Sequence, residues 1–207
     1  MQYKRIAVLV SGSGSNLQAL IDNQKKIFNG EIVLVFSNIK KAYALERARN
    51  YNIDTAYLSK KDFDSAEEYD KKLVEILEEH EIDLIVLAGY LRIITPVLIE
   101  KYKNRIINIH PSLLPSFGGV GFYGIHVHQK VIERGCKVTG VTVHFVDEEA
   151  DAGPIILQKT IDINQDWTSE DLQKEVLKIE HIILSEAVKL FCDDKLMIKD
   201  KRVFIKE

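Results

Sequence analysis

The sequence has few of the features that mark secreted, membrane-spanning or disulfide-linked proteins. Of its 207 residues only Cys136 and Cys192 are cysteines, and they lie too far apart to form a CxxC pair. Isolated cysteines of this kind are typical of unpaired thiols in a reducing compartment. No apolar run approaches the roughly 18 residues that a membrane-spanning helix needs, and the N-terminal segment becomes polar too early for a secretory signal. These absences predict a soluble, cytoplasmic protein.

The sequence also lacks an excess of charge of one sign. It has 28 basic and 31 acidic residues, a net charge of -3, and no long block of either sign. Proteins that bind nucleic acids or anionic membranes usually carry a basic face. Both kinds of partner are therefore disfavoured.

Short apolar runs separated by helical patterns indicate the fold class. A hydrophobic content of 46% can bury a substantial core, and we expect a single domain over residues 1–207. Five continuous runs are typical of parallel strands buried on both faces, and two later runs without a helix between them favour antiparallel neighbours. The predicted strands are 4–10, 31–37, 54–59, 83–89, 105–109, 138–148 and 154–163. The expected fold is α/β, a Rossmann-like, mostly parallel sheet with helices on both faces and an antiparallel C-terminal portion.

Capping signals predict where helices begin. A serine or threonine three residues before Gln, Glu or Asp has the spacing of a capping box, and threonine before proline is typical of a first helical turn. The expected starts are Ser15 with Gln18, Ser65 with Glu68, Thr95 before Pro96, and Thr168 with Asp171. The last of these opens a long helix over about 168–191.

A glycine-containing turn follows the first predicted strand. Residues 11–16 read SGSGSN and lead into a helix, where backbone N–H groups and the helix N-terminus favour an anion. A dinucleotide fingerprint would need glycine at Leu17 and an acid where Ser37 and Asn38 follow the second strand, and no Gly-Lys-Ser/Thr of a P-loop is present. A phosphate monoester site and a plain strand-to-helix turn remain.

The fifth predicted strand ends in the sequence NIHPSLLP. Asn108 and His110 lie two residues apart at the strand end, so both point to the same side, where such sheets place ligands. An amide and a protonated imidazole can stabilise an oxyanion, although a capping Asn and a hydrogen-bonded structural His remain the alternative. Pro111 and Pro115 make a helix unlikely here. Asp151, next to Ala-Gly-Pro, is the carboxylate that we expect to keep His110 protonated.

Two other kinds of site fit the sequence poorly. His110, His126, His128 and His144 could be metal ligands, but no HExxH motif or cysteine pair accompanies them. A serine hydrolase would carry G-x-S-x-G, which does not occur. We therefore expect neither chemistry.

These motifs together resemble the phosphoribosylglycinamide formyltransferases, the folate-dependent enzymes of purine synthesis. The likeness runs from about residue 4 to residue 190. It is carried in order by SGSGSN, AGYLRI at 88–93, NIHPSLLP at 108–115, HFVDEEADAGPII at 144–156 and EH at 180–181.

The resemblance implies transfer of a formyl group from 10-formyltetrahydrofolate to the amine of glycinamide ribonucleotide, by direct attack through a tetrahedral intermediate. The catalytic residues would be Asn108, His110 and Asp151. The nucleotide would contact Gly12, Ser13, Gly14, Ser15, Asn16, Pro111 and Glu180. The folate would contact Leu91, Arg92, Ile93, Ile94, Asn108, Val146 and Asp147. The N-terminal half would thus mainly bind the nucleotide and the C-terminal half the folate, in a monomer or homodimer without a bound metal.

The sequence departs from this family at three places. Ala66 stands where many relatives carry an arginine on the folate side, and Lys60 or Lys61 would have to replace that contact. The glycine-rich segment 118–124, expected to be a mobile loop beside the site, is longer than in many members. After Glu180-His181, a common Tyr-Pro pair is missing, for which we expect only a change in packing.

Other formyl-processing enzymes share part of the pattern. Methionyl-tRNA formyltransferase would be expected to have an additional C-terminal domain, and formyltetrahydrofolate deformylase an N-terminal regulatory domain. Because the sequence begins at its first strand and ends soon after its last helix, neither is expected here. A folate- or nucleotide-binding module without turnover is the non-catalytic alternative.

Overall fold

Seven strands form one mixed sheet in the computed structural model, which describes residues 3–206, without the side chains of 25–27. The strands are β1 Lys4–Val10, β2 Gly30–Ser37, β3 Asp54–Tyr57, β4 Leu84–Leu87, β5 Ile106–His110, β6 Val138–Phe145 and β7 Ile155–Asp162. Their order across the sheet is β3-β2-β1-β4-β5-β6-β7. The first five strands are parallel, and β6 is antiparallel to both β5 and β7. The predicted fold class is confirmed, including the antiparallel C-terminal portion.

Helices cover both faces of the sheet. They are α1 Ser15–Ile27, α2 Tyr43–Asn50, α3 Ala66–Glu79, α4 Pro96–Lys101, α5 Ile125–Glu133 and α6 Ser169–Cys192. Alternation along β1 divides the core, because Ile6 and Val8 pack with α1, α2, α5 and α6, whereas Ala7 and Leu9 pack with α3 and α4. No helix in the described part of the chain is long and apolar enough to span a membrane.

The order of the strands creates a switch point beside β1. The chain leaves β1 toward β2 and β3 on one side, then crosses to β4 and β5 on the other. Loops at the carboxyl ends of β1 and β4 therefore diverge and leave a crevice between them, the usual ligand position in open α/β sheets.

The sequence locates the strands but extends several of them too far. The prediction 4–10 matches β1, whereas the predicted strands 54–59, 83–89 and 138–148 end at Tyr57, Leu87 and Phe145. Beyond β4 the backbone turns because Gly89 adopts a φ of +74°, which is incompatible with an extended strand.

Three of the four predicted helix starts are confirmed. Ser65 accepts a hydrogen bond from the Glu68 amide, Thr95 precedes Pro96 at the start of α4, and Thr168 and Asp171 form a reciprocal capping box.

The capping box predicted at Ser15 is wrong. Gly14 is the N-cap of α1, with a φ of +73° and no side-chain cap. A side chain at this position would place its Cβ 2.6 Å from the Ala44 Cβ, so the turn requires glycine. The start of α1 is thus left without a capping side chain.

A two-stranded hairpin near the end of the chain was not predicted. Strands β8 Leu196–Lys199 and β9 Arg202–Ile205 pair through a turn in which Asp200 and Lys201 both have positive φ. Two consecutive residues of this kind are typical of a tight hairpin turn. The interleaved charges of this segment hid its strand pattern.

Candidate active site

A cleft of about 710 Å³ opens at the switch point. Its walls come from the turn after β1, the segment after β4, the end of β5 and the loop that follows it, the loop after β6, and one side of α6. Every site residue predicted from the sequence lines this cleft. The structure thus brings the candidate nucleotide, folate and catalytic residues into one space.

The turn between β1 and α1 directs its amide hydrogens toward the cleft. Its carbonyl oxygens are held from behind: Gly12 O by the Ala44 amide at 3.2 Å, Ser13 O by Arg47 Nε at 2.8 Å and Gly14 O by the Gln18 amide at 2.9 Å. In a trans peptide the C=O and the following N–H point in opposite directions. The N–H groups of residues 13–15 therefore point away from these partners. Free N–H groups at an uncapped helix start are able to bind an anion.

Asn16 and Glu180 form a buried polar pair at the same end of the cleft. Asn16 Nδ2 donates to Glu180 Oε2 at 2.6 Å. Burial raises the pKa of Glu180, and the hydrogen bond from Asn16 opposes that effect only in part. Asn16 Oδ1 is buried and has no hydrogen-bond partner in the described part of the chain. It is therefore a buried acceptor whose hydrogen-bonding capacity is unused.

Asn108, His110 and Asp151 converge at the middle of the cleft. His110 Nδ1 lies 3.5 Å from Asp151 Oδ2, and Asn108 Nδ2 donates to Asp151 Oδ1 at 3.5 Å. His110 Nε2 lies 2.8 Å from the Phe117 carbonyl oxygen, and since a carbonyl only accepts, this nitrogen carries the hydrogen. The two side chains that were predicted to share a face of β5 do share the cleft.

His144 completes this group, although the sequence suggested it only as a metal ligand. It pairs with Asn108 across β5 and β6. Its Nδ1 donates to the Phe145 carbonyl oxygen at 2.8 Å, which leaves Nε2 to accept from Asn108 Nδ2 at 3.1 Å. Asp151 Oδ1 lies 3.7 Å from the same Nε2. His144 thereby fixes the orientation of the Asn108 amide.

The electrostatic balance at His110 differs from the prediction. Burial lowers the pKa of His110, and this outweighs the opposing effects of Asp151 and of the Phe117 carbonyl. We expected Asp151 to keep His110 protonated, but burial favours the neutral ring in the free protein. For Asp151, burial would raise the pKa, yet the nearby His144 and His110 rings and the hydrogen bond from the Gly119 amide together lower it. Asp151 is therefore held ionised.

Backbone geometry fixes the position of Asp151. The residue has a φ of +57°, a left-handed conformation that aspartate tolerates better than most residues. Two residues later, a side chain on Gly153 would collide with the Phe145 carbonyl oxygen. The Gly119 amide also donates to Asp151 Oδ2 at 2.9 Å. The 118–124 segment is thus tied to the carboxylate and lies beside the site, as predicted.

The segment after β4 forms an apolar wall. Leu91 is 59% exposed and Ile93 is 69% exposed, although both line the cleft, whereas Ile94 is buried in the core. Val146 and Asp147 line the same cleft from the loop after β6. Exposed aliphatic side chains beside a few polar groups are typical of a site for a flat organic ligand.

Arg92 is directed toward α3. Its guanidinium lies 3.9 Å from the Tyr69 ring centroid, and Nη2 donates to the Ala66 carbonyl oxygen at 3.0 Å and to Asp70 Oδ1 at 3.3 Å. Asp70 is fully buried and also accepts from the Thr95 amide at 2.6 Å. Arg92 therefore anchors the apolar wall beside Ala66. Lys60 and Lys61 do not line the cleft.

Potential metal ligands do not cluster in this site. Within residues 3–206, no group of three or more His, Cys, Asp or Glu side chains is arranged to hold a metal ion. His126 is exposed on α5, whereas His110, His128 and His144 line the cleft.

Comparison with known proteins shows the family of the chain. The sequence profile of the formyl transferase family matches residues 4–188. The chain belongs to the formyl transferase family.

Relatives in this family cover nearly the whole chain. Phosphoribosylglycinamide formyltransferase of Escherichia coli (strain K12) is 39% identical over 97% of this chain and 92% of that protein. A trifunctional purine biosynthetic protein adenosine-3 of Chironomus tentans is 42% identical, and the chain spans 14% of its length.

Two solved structures of family enzymes have the same fold. Glycinamide ribonucleotide transformylase 1 from Symbiobacterium toebii has a TM-score of 0.95 and 40% identity, covering 100% of this chain and 95% of that one. A formyltetrahydrofolate deformylase from Pseudomonas syringae has a TM-score of 0.89 and 25% identity, and the match covers 67% of its chain. The chain is more similar to this transformylase than to this deformylase, both in sequence identity and in TM-score.

His128 is a buried histidine of the cleft that was not predicted as a site residue. It lies on α5, lines the cleft and is 2% exposed, and its Nδ1 has no partner in the described residues. Burial, with a smaller effect of His110, lowers the pKa of His128 from 6.5 to about 4. The His128 ring therefore stays neutral in the folded protein at pH values below 6.5, where the same ring binds a proton in the unfolded chain.

Acidification should destabilise the protein through His128. The stability that the neutral His128 ring contributes is present above pH 6.5 and is lost as the pH falls toward 4. The free energy of unfolding should therefore drop by roughly 2 kcal/mol between pH 7 and pH 5 from this residue alone. Denaturant unfolding of wild type and His128→Gln at both pH values measures this contribution. In His128→Gln the free energy of unfolding should decrease less between the two pH values than in wild type. A decrease from His110 and His181 should remain, because burial lowers their pKa values as well.

The matched control is His126→Gln on the same helix. Its ring is exposed, so the variant removes a histidine without changing a buried one. If His128→Gln shows the full wild-type drop, the assignment of His128 is wrong.

Proposed function

We propose that this chain is a phosphoribosylglycinamide formyltransferase, which transfers the formyl group of 10-formyltetrahydrofolate to the amine of glycinamide ribonucleotide in purine biosynthesis. The observation that carries the proposal is the convergence of Asn108, His110 and Asp151 between an anion-binding turn and an apolar wall in one cleft. The near full-length likeness to the Escherichia coli enzyme supports it.

The nucleotide is proposed to bind along the turn after β1. Its phosphate would accept hydrogen bonds from the N–H groups of residues 13–15, as the helix N-terminus favours. Asn16 and Glu180 would meet the sugar hydroxyls, since the pair offers both an unused acceptor and a carboxyl group. Pro111, beside His110, would border the path from sugar to amine.

The folate is proposed to lie against the segment after β4. Leu91 and Ile93 are exposed apolar surfaces that a pterin and its aryl group would cover. The backbone of Val146 and Asp147 and the side chain of Asn108 supply polar contacts on the opposite side. Arg92 contributes by holding this wall, because its guanidinium is already paired with Asp70.

The chemical step needs stabilisation of a negative charge and transfer of one proton. The amine nitrogen bonds to the formyl carbon while the carbonyl oxygen becomes an oxyanion. Asn108 Nδ2 and His110 would donate to that oxyanion, which is the role expected of preorganised donors. The bond from carbon to the folate nitrogen then breaks, and the proton released by the amine reaches that nitrogen with the help of Asp151. No covalent enzyme intermediate is needed.

Deformylation by water is the second candidate function, because a deformylase shares the fold. The anion-binding turn favours a phosphorylated acceptor over water. We expect the chain to act in the cytoplasm on its two small-molecule substrates, as a monomer or a homodimer and without a bound metal.

One assay separates the candidate functions. The full chain is incubated with 10-formyltetrahydrofolate, with and without glycinamide ribonucleotide, and loss of the formyl group is followed. We expect deformylation only when the nucleotide is present. Equal deformylation without it would identify a hydrolase, and none in either mixture would indicate a binding module.

Asp151→Asn should slow turnover by on the order of 10² or more while the protein stays folded. The substitution keeps the size of the side chain but removes the charge that supports His110 and the proton relay. Steady-state kinetics with both substrates saturating gives the ratio. Glu149→Gln is the matched control, because Glu149 is an exposed acid of the same loop that does not line the cleft. Turnover of Asp151→Asn near the wild-type rate would refute the role.

Inorganic phosphate should compete with the nucleotide and not with the folate. The turn after β1 is the proposed phosphate site, and its N–H groups are a different part of the cleft lining from the exposed aliphatic side chains of the apolar wall. Inhibition of turnover by inorganic phosphate is measured while the concentration of the nucleotide, and then that of the folate, is varied. Competition against the folate would mean that the two ligands have been assigned to the wrong ends of the cleft.

A further inference from the structure

Ser11 connects the two walls of the cleft without lining it. It is the first residue after β1 and is only half-buried, but the cleft surface begins at Gly12. Its hydroxyl accepts a hydrogen bond from the Leu91 amide at 2.9 Å and donates to Asn38 Oδ1 at 2.6 Å. Its amide donates to the Gly89 carbonyl oxygen at 3.0 Å. One residue therefore joins the segments that follow β1, β2 and β4.

Both proposed binding walls depend on this junction. The anion-binding turn starts at the next residue, Gly12, so the position of Ser11 sets where the turn begins. The apolar wall has no regular secondary structure from residue 88 to 95. Its start is held by Ser11 at Gly89 and Leu91, and its end by Asp70 at Thr95. Of these two anchors, only Ser11 belongs to the same segment as the anion site.

We propose that Ser11 is a positioning residue that sets the distance between the phosphate turn and the folate wall. It touches neither ligand and acts through its hydroxyl, which satisfies one donor and one acceptor at once. Removing the hydroxyl leaves the Leu91 amide and Asn38 Oδ1 without this partner. Unpaired groups of this kind are costly, so both segments should shift to find new partners. The names of the two ligands rest on the proposed function, but the junction itself does not.

Ser11→Ala should weaken binding at both ends of the cleft by about tenfold each. Binding is measured by calorimetry with inorganic phosphate alone and with 5-formyltetrahydrofolate alone, a folate that need not react. KM values for both substrates should rise together, whereas kcat should change less, because the catalytic group around Asp151 is not touched. All measurements are made at a temperature where each variant is fully folded.

Ser11→Thr and Ser59→Ala are the matched variants. Threonine keeps the hydroxyl and should restore binding at both sites. Ser59 is also half-buried, and its hydroxyl accepts from the Lys61 amide outside the cleft, so its removal should leave both affinities unchanged. A merely structural role for Ser11 would lower thermal stability without altering the affinities of the folded protein.

The outcomes separate this inference from the proposed function. Loss at both sites in Ser11→Ala with recovery in Ser11→Thr supports the inference. The inference is overturned if Ser11→Ala loses affinity at one site only or at neither site. It is also overturned if Ser59→Ala loses as much affinity as Ser11→Ala. If wild type binds both probes but does not transfer a formyl group to the nucleotide, the proposed function fails while the positioning role of Ser11 is still decided by the binding data.

Discussion

The carboxylate of Asp151 is the group on which the geometry of the site depends. One oxygen accepts from the Gly119 amide and faces His110, and the other faces Asn108 and His144. These four partners come from β5, from β6 and from the glycine-rich loop, so a single charge holds three separate parts of the chain together. Its pKa is lowered despite burial, which means that the surrounding donors are arranged for the ionised form. An uncharged side chain here would weaken the hydrogen bonds from the Gly119 amide and Asn108, because hydrogen bonds to an ionised acceptor are the stronger ones.

The remainder of the cleft combines two surfaces that ordinarily do not occur together. One end presents N–H groups of an uncapped helix start, and the other presents aliphatic side chains that folding alone would have buried. Each surface lowers local stability. Gly14 leaves the helix start without a capping side chain, and Leu91 and Ile93 expose apolar area to water. Such departures from local preference are expected at functional sites. An anionic ligand bound beside a flat, apolar one would fit both departures at once.

The sequence predicted what depends on local pattern. Continuous apolar runs located the strands, and the two-residue spacing at a strand end placed Asn108 and His110 on one side. The sequence suggested His144 only as a possible metal ligand, because its contact with Asn108 depends on the register between β5 and β6, which joins residues far apart in the chain. The cap at Ser15 was wrong because Ala44, from another helix, forces glycine and a left-handed turn at residue 14. Nonlocal contacts of this kind leave no trace in a short window of sequence.

The protonation of His110 was also mispredicted, and the reason bears on the chemistry. From the sequence, a nearby carboxylate seemed sufficient to keep the ring charged. In the folded protein the ring is 4% exposed, and burial lowers its pKa more than Asp151 raises it. A neutral ring still donates through Nε2, at present to the Phe117 carbonyl oxygen. In the proposed reaction, negative charge on the formyl oxygen would add to that of Asp151, and two anions beside one imidazole would favour its protonated form. The neutral ring of the free protein would then become a charged donor by taking up the proton that the amine releases, before that proton passes to the folate nitrogen.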